Sequence, residues 1–259
     1  MKVSIIIPAY NEERRIGGKL NAYSEYFNKL EKKDGLKYEI LIVVNNSKDK
    51  TMDIVKSYSK KDHNTLYMNL IKGGKGYAVI EGFKDSLKRK NDLIGFVDAD
   101  LSTSPESFHD LIKQIKDYDG IIASRYIKGA IVEPKPNINR VLASRIYNVL
   151  IRALLLIPYR DTQCGAKLFK RKTVEKFLPK LTISKWAFDV DLIYSTLKCG
   201  LKIREVPTVW RDKEYSTINF MEAGPWMALG IIRLRLLNSP FKSLMRIYDK
   251  MLNRIWRIR

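Results

Sequence analysis

The stretch LIGFVDADLSTSP (Leu93–Pro105) decides the fold. Ile94, Gly95, Phe96 and Val97 have buried-strand character and run directly into two carboxylates, Asp98 and Asp100. A short apolar run stopped by polar loop residues reads as a strand covered on both faces. Two carboxylates at the end of such a strand repel each other unless a cation lies between them. An Asp-x-Asp spacing suits Mg2+ or Mn2+, which bind one or two carboxylates together with substrate phosphates. A loop merely capped by Asp side chains would carry the same letters, so the surrounding chain has to discriminate.

Working outward, the same unit recurs on either side. KVSIIIPAYNEE (residues 2–13) is a β-branched run from Val3 to Ile7 that ends at Pro8, followed by a helix from about Asn11 to Leu30. YEILIVVNNSKDKT (38–51) leads into a helix over about Thr51–Lys60. A short strand near Tyr67–Ile71, a Gly-rich turn and a helix come next. After the central stretch follow a helix over Pro105–Tyr118 and the strand GIIASR (120–125). Strands that are continuous apolar runs, alternating with helices, predict an α/β fold: a mostly parallel central sheet flanked by helices on both faces. Ligands bind beyond the carboxyl ends of such strands. The loops at Pro8–Glu12, Asn45–Ser47, Gly73–Gly76 and Asp98–Ser102 should therefore converge on one edge.

Beyond Arg125 the pattern changes. A Pro-containing loop leads to a helix over about Arg140–Leu156, DTQCGAKLFKR (161–171) follows, and WAFDVDLIYSTLKCG (186–200) reads as a helix that Gly200 stops. LKIREVPTVW (201–210) reads as a short edge strand, because Pro207 does not fit a central one. The tail predicts two helices broken at Ser239–Pro240. The organisation expected is a catalytic domain over residues 1–220 and a basic amphipathic tail over 221–259 at a membrane interface.

The chain has 259 residues and a net charge of +20, unevenly placed. Residues 1–124 hold 21 Lys and Arg against 18 Asp and Glu; residues 125–259 hold 27 against 10. Such a balance points to an anionic partner: nucleic acid, an anionic membrane surface or phosphorylated substrates. Neither a zinc finger nor an RNA-recognition motif is present, which argues against nucleic acid. Cys164 and Cys199 have no ligand spacing, so a zinc site is not expected and reduced thiols in a cytosolic setting are. No run of about 18 apolar residues suggests a transmembrane helix. The expected location is peripheral, on the cytoplasmic face of a membrane. In the tail, Trp226, Met227, Leu229, Ile231, Ile232, Leu234 and Leu236, interrupted by Arg233 and Arg235, suit a helix lying in the headgroup plane.

SIIIPAYNEE, VVNNSKDKT, GGKGYAV and VDADLS stand in a fixed order, and with them the chain resembles the family 2 glycosyltransferases and their GT-A nucleotide-sugar fold over roughly residues 1–217. ASRY, DTQCGAKLFKR and WAFDVDLIY narrow the resemblance to dolichyl- or polyprenyl-phosphate hexose synthases, in particular the dolichyl-phosphate β-glucosyltransferase branch. The resemblance implies a nucleotide-sugar donor, with UDP-glucose favoured over GDP-mannose, and a polyprenyl or dolichyl phosphate acceptor. It places Pro8, Ala9, Tyr10, Glu12, Val43 and Asn45 around the nucleotide, with Asn45 where relatives carry Asp. Lys75 and Arg211 join the donor site, and Asp98, Ala99 and Asp100 form its sugar and metal edge. Ser102 stands where relatives often have Gln and is the third metal position. Arg125, Arg140, Ser144 and Lys213 are implied for the acceptor phosphate, and Ser216-Thr217 replaces the usual Ser-Lys pair. Asp161 and Gln163 line the sugar pocket beside the catalytic Asp98 and Asp100, and Asp189 is within reach of the sugar hydroxyls. Cys164 is expected to be packed rather than reactive. A phosphate acceptor is already ionised near neutral pH, so positioning and leaving-group neutralisation replace a strong general base.

Overall fold

A computed structural model describes residues 1–134, 138–182, 187–211 and 220–240. Among these, β1 (Lys2–Ala9), α1 (Ile16–Asp34), β2 (Lys37–Asn45), α2 (Thr51–Lys61), β3 (Thr65–Leu70), α3 (Lys75–Lys88), β4 (Leu93–Val97), α4 (Pro105–Gln114) and β5 (Gly120–Ser124) follow the expected alternation. Then come β6 (Ile131–Glu133), α5 (Ile138–Leu155), β7 (Ala166–Lys170), α6 (Arg171–Phe177), a 3-10 turn (Leu178–Lys180), α7 (Phe188–Lys198), β8 (Ile203–Pro207), β9 (Val209–Arg211) and α8 (Phe220–Leu237).

The main sheet has the order β3-β2-β1-β4-β7-β5-β8. Its neighbours pair in parallel except β7, which runs antiparallel to both β4 and β5. The central strands β1, β2 and β4 are largely apolar because both faces are covered. Val3, Ile5, Ile7 and Ala9 of β1 enter the core under α1 and α4, while Ile6 enters the core under α3, α6 and α7. β2 and β4 alternate likewise: Ile40, Ile42 and Val97 on one side, Leu41, Val43, Ile94 and Phe96 on the other. α1 buries Ile16, Leu20, Tyr23 and Phe27 at helical spacing, and stops at Gly35, whose φ of 67° belongs to the left-handed region. Ser104 caps α4 by accepting from the Ser107 N–H, with Pro105 in the first turn.

β8 lies at the sheet edge, as Pro207 requires. β7 was not expected as a strand. Lys167 interrupts its apolar pattern, yet its side chain is wholly buried. α1 begins at Ile16 rather than near Asn11, because residues 11–15 form a turn in which Glu12 O accepts from the Arg15 and Ile16 amides. α8 starts before the expected tail boundary and packs against α5. Met227, Ile231 and Leu234 are buried, the last two in the core shared with α3 and α7, so these three of the seven residues expected at a headgroup plane face protein. The second tail helix lies outside the described residues. No helix among the described residues is long and apolar enough to cross a membrane.

Candidate active site

The loops after β1, β2, β3 and β4 do meet at one edge, and side chains stitch them together. Asn45 is 2% exposed; its amide donates to Ala9 O at 3.0 Å and its carbonyl accepts from the Gly74 N–H at 3.1 Å. Both ends of Asn45 thus join the first loop to the Gly-rich turn. Val43 and Ala9 are wholly buried, one in the core on each face of the sheet, and Pro8 is buried, whereas Tyr10 is 54% exposed. Glu12 is held by a two-pronged contact from Arg15, at 2.7 and 2.8 Å. Burial nevertheless pushes its pKa up, and the Asp100 and Asp98 charges push it further. Glu12 therefore shares one negative region with the β4 doublet.

Asp98 leaves β4 with its N–H donating to Gly165 O at 3.0 Å. A Cβ on Gly165 would meet Asp98 Oδ2 at 2.1 Å, so only glycine lets the two chains approach this closely. Asp100 turns back to accept from the Ser102 N–H at 3.0 Å, with Leu101 between them at φ 62°. Ala99 is 4% and Ser102 5% exposed. The loop is braced from below by Lys19 and Tyr23, which both donate to Thr103 O, and from the side by Arg211, whose N–H donates to Ser102 O. The Arg211 side chain is exposed and lies 3.8 Å from Glu133.

Lys75, at the start of α3, lies between two carboxylates: 2.7 Å from Asp98 Oδ1 and 3.3 Å from Asp189 Oδ2. Asp189 Oδ1 in turn takes Lys167 Nζ at 2.7 Å, and Lys167 also donates to Cys164 O. Asp189 thus has both oxygens on lysines. Burial opposes its ionisation, but Lys167 and Lys75 hold its pKa below the usual value. Among the described residues, Asp98 has a share of one lysine. Burial, with Asp100 and Asp189 nearby, leaves its pKa raised despite Lys75. Lys75 itself is pushed up, the Asp189 and Asp98 charges outweighing its burial.

Around Arg125 a second cluster forms. Asp161 is fully buried and accepts from Arg125 Nε at 2.8 Å, Nη2 at 2.9 Å and the Arg125 N–H at 2.9 Å. Burial is again opposed by the partner, and the guanidinium keeps Asp161 below its ordinary pKa. The guanidinium lies 5.3 Å from the ring centroids of both Tyr126 and Trp210. Tyr126 OH and Ser144 Oγ are 2.7 Å apart, which ties α5 to the strand end. Gln163 follows, its N–H 3.3 Å from Asp161 Oδ1, and Cys164 is buried with its thiol pushed up to about 12 by burial. The segment 161–167 joins the two clusters. Arg140 lies on α5, but its side chain is outside the described residues, as are Lys213, Ser216 and Thr217. Lys167, Gly165, Lys19, Tyr23, Tyr126 and Trp210 were not expected here. None of the six left a distinctive mark in the sequence; Lys167 is one of two lysines in the short stretch AKLFK (166–170).

The donor set fits a hard divalent ion. Among the described residues no group of three or more His, Cys, Asp or Glu could hold a metal. Mg2+ and Mn2+ do not need one: two carboxylates suffice when substrate phosphate oxygens and water complete the shell. Asp98 and Asp100, one residue apart after β4 with the Glu12 charge acting on the same region, offer two such carboxylates.

Residues 4–178 match the family model described as "Glycosyl transferase family 2". A dolichyl-phosphate beta-glucosyltransferase of Dictyostelium discoideum is 32% identical over 244 residues, 90% of this chain and 73% of its own length. The human protein of the same name is 28% identical over 93% of this chain and 78% of its own length. Among solved structures, glucosyl-3-phosphoglycerate synthase from Mycobacterium tuberculosis in complex with Mn2+, UDP and phosphoglyceric acid superposes with a TM-score of 0.66 at 18% identity, covering 91% of this chain and 77% of that one.

Proposed function

The chain belongs to glycosyl transferase family 2, and from that premise we propose that it transfers glucose from UDP-glucose to a dolichyl or polyprenyl phosphate at a membrane surface. The observation that carries this reading is the convergence of Glu12, Lys75, Asp98 and Asp100 on one sheet edge, beside a buried Arg125–Asp161 pair. The relatives named for dolichyl-phosphate glucosyl transfer support the sugar and the lipid. A fold neighbour solved with UDP and Mn2+ supports the donor and the ion.

In this reading Asp98 and Asp100 hold Mg2+ or Mn2+. The ion supplies positive charge that steadies the departing nucleoside diphosphate. Lys75 adds a second cation at the start of α3. The acceptor phosphate lies against Arg125. Asp161 takes Nε and Nη2 of that guanidinium and fixes its plane, so Nη1 is the donor for a phosphate oxygen. A phosphate oxygen then attacks the anomeric carbon in line as the bond to the diphosphate breaks, turning an α-linked donor into a β-linked lipid product. No side chain has to remove a proton, because the attacking oxygen is already ionised. Tyr126, Ser144 and Trp210 order the Arg125 side of the cleft.

Purified protein given Mn2+, polyprenyl phosphate and a panel of UDP-glucose, UDP-galactose and GDP-mannose tests the proposal. Glucose transfer from UDP-glucose is the expected result, abolished in Asp100→Ala with the thermal melt unchanged. Preference for GDP-mannose would overturn the donor assignment, and activity surviving in Asp100→Ala would remove the metal edge.

A further inference from the structure

The Lys75, Asp98, Asp189 and Lys167 side chains form one continuous chain of alternating charge: Lys167 to Asp189 at 2.7 Å, Asp189 to Lys75 at 3.3 Å, Lys75 to Asp98 at 2.7 Å. Its two ends differ. Lys167 is wholly buried in β7 and anchored on Cys164 O at 2.7 Å, so it cannot move without burying an unpaired charge. Lys75 is one-third exposed, on a flexible four-carbon stem at the start of α3. Phe96 closes the floor beneath both ammonium groups, its centroid 5.7 Å from Lys75 and 5.3 Å from Lys167. One ammonium thus has a fixed seat and the other has two, one on Asp98 and one on Asp189.

We propose that Asp189 is a positioning residue that gives Lys75 a second seat, and that Lys75 competes with the divalent ion for Asp98. While Asp98 has no ion, Lys75 holds it. When the ion takes Asp98, Lys75 passes wholly to Asp189, which Lys167 keeps in place, and its ammonium remains beside the cleft for the donor phosphates. Asp189 therefore acts on the ion through Lys75 and does not touch it. This assigns Asp189 a role other than contact with sugar hydroxyls, since both of its oxygens already face lysines. The inference rests on the reading that Asp98 and Asp100 bind the ion.

Mn2+ binding to the nucleotide-free chain, read from the electron paramagnetic resonance signal of free Mn2+, tests it without any activity measurement. Asp189→Asn removes the second seat, confines Lys75 to Asp98 and weakens Mn2+ binding about tenfold, the scale of one added charge contact. Lys75→Met removes the competitor and tightens Mn2+ binding by a similar factor. In the Lys75→Met background, Asp189→Asn has no further effect, which a merely structural role for Asp189 would not produce. Asp100→Asn serves as the control for the ion site. Loss of Mn2+ binding in Asp100→Asn with no change in Asp189→Asn or Lys75→Met overturns the seat exchange alone. Wild-type protein whose Mn2+ binding is indifferent to Asp100→Asn overturns the ion site, and the exchange with it. Should Asp189→Asn fail to fold, Lys75→Met remains decisive: unchanged or weakened Mn2+ binding refutes the competition.

Discussion

Gly165 lies so close under Asp98 that its missing side chain is part of the site. Gly165→Ala forces Asp98 aside, because the atom in the way is a carboxylate on a short stem rather than a flexible side-chain end. Turnover with saturating donor should fall at least about tenfold, while circular dichroism stays native; the principle is that angstrom-scale misplacement of a reacting group costs orders of magnitude in rate. Lys167 works differently. Among the described residues, its removal leaves Asp189 with the shared Lys75 alone. Lys167→Met should cost about 3–5 kcal/mol in urea denaturation, the usual penalty for breaking a buried pair from one side. The double variant Lys167→Met/Asp189→Asn should recover most of that loss, because no unpaired charge is then left inside. Of these residues, Asp98 and Asp100 were legible from their place at a strand end. Lys167 was not, because a lysine inside a strand is read as a solvated face unless its buried counter-charge, 22 residues away, is known.

α7 is fastened to the turn before it by Asp191. Its carboxylate accepts from the Thr182 N–H at 2.8 Å, Thr182 Oγ1 at 2.9 Å and Ser195 Oγ at 3.1 Å, and Arg233 of α8 acts on it through its charge. Burial, the largest influence, raises its pKa from 3.8 to about 6. A carboxyl raised on folding holds its proton more tightly in the folded chain. Its contribution to stability is therefore present below about pH 4 and lost as pH rises through 6. Between pH 7 and pH 4, wild type should gain about 2 kcal/mol relative to Asp191→Asn, measured by denaturation at each pH. A difference that is flat with pH would show that Asp191 does not titrate as described. At this scale the strands and helices up to Ser124 were readable from apolar runs and turn residues. β7 was not: five residues with a lysine at the second position lack any apolar run, and only pairing with β4 and β5 makes them a strand.

Across the whole molecule the positive charge gathers in the second half of the chain, and α5 adds an exposed apolar row to it. Leu142, Ile146 and Val149, at helical spacing, are 57–61% exposed, with Arg145 and Arg152 exposed beside them and no acidic residue on the helix. Such a face suits an anionic headgroup layer. The protein should co-sediment with vesicles containing phosphatidylserine but not with pure phosphatidylcholine, and raising NaCl from about 0.1 to about 0.5 M should release it. Leu142→Ser/Ile146→Ser/Val149→Ser should weaken that binding about tenfold or more without changing the melt. Unaltered binding would take α5 out of the membrane face and leave it to the basic segments elsewhere.

The sequence by itself determined the α/β class, the alternation of strands and helices through β5, and the four loops that carry Glu12, Asn45, Lys75 and the Asp98–Asp100 doublet. These are local properties: an apolar run, a breaker and a charge at its end are neighbours in the chain. Only the tertiary structure decided that Asn45 joins two loops, that Asp161 fixes Arg125, that Asp189 faces two lysines and that Gly165 underlies Asp98. Each of those is a contact between residues that lie 22 to 114 positions apart or belong to different elements. A buried charge gives no local sign of its partner, because the energy that tolerates it comes from an opposite charge that the fold, not the neighbouring sequence, brings within reach.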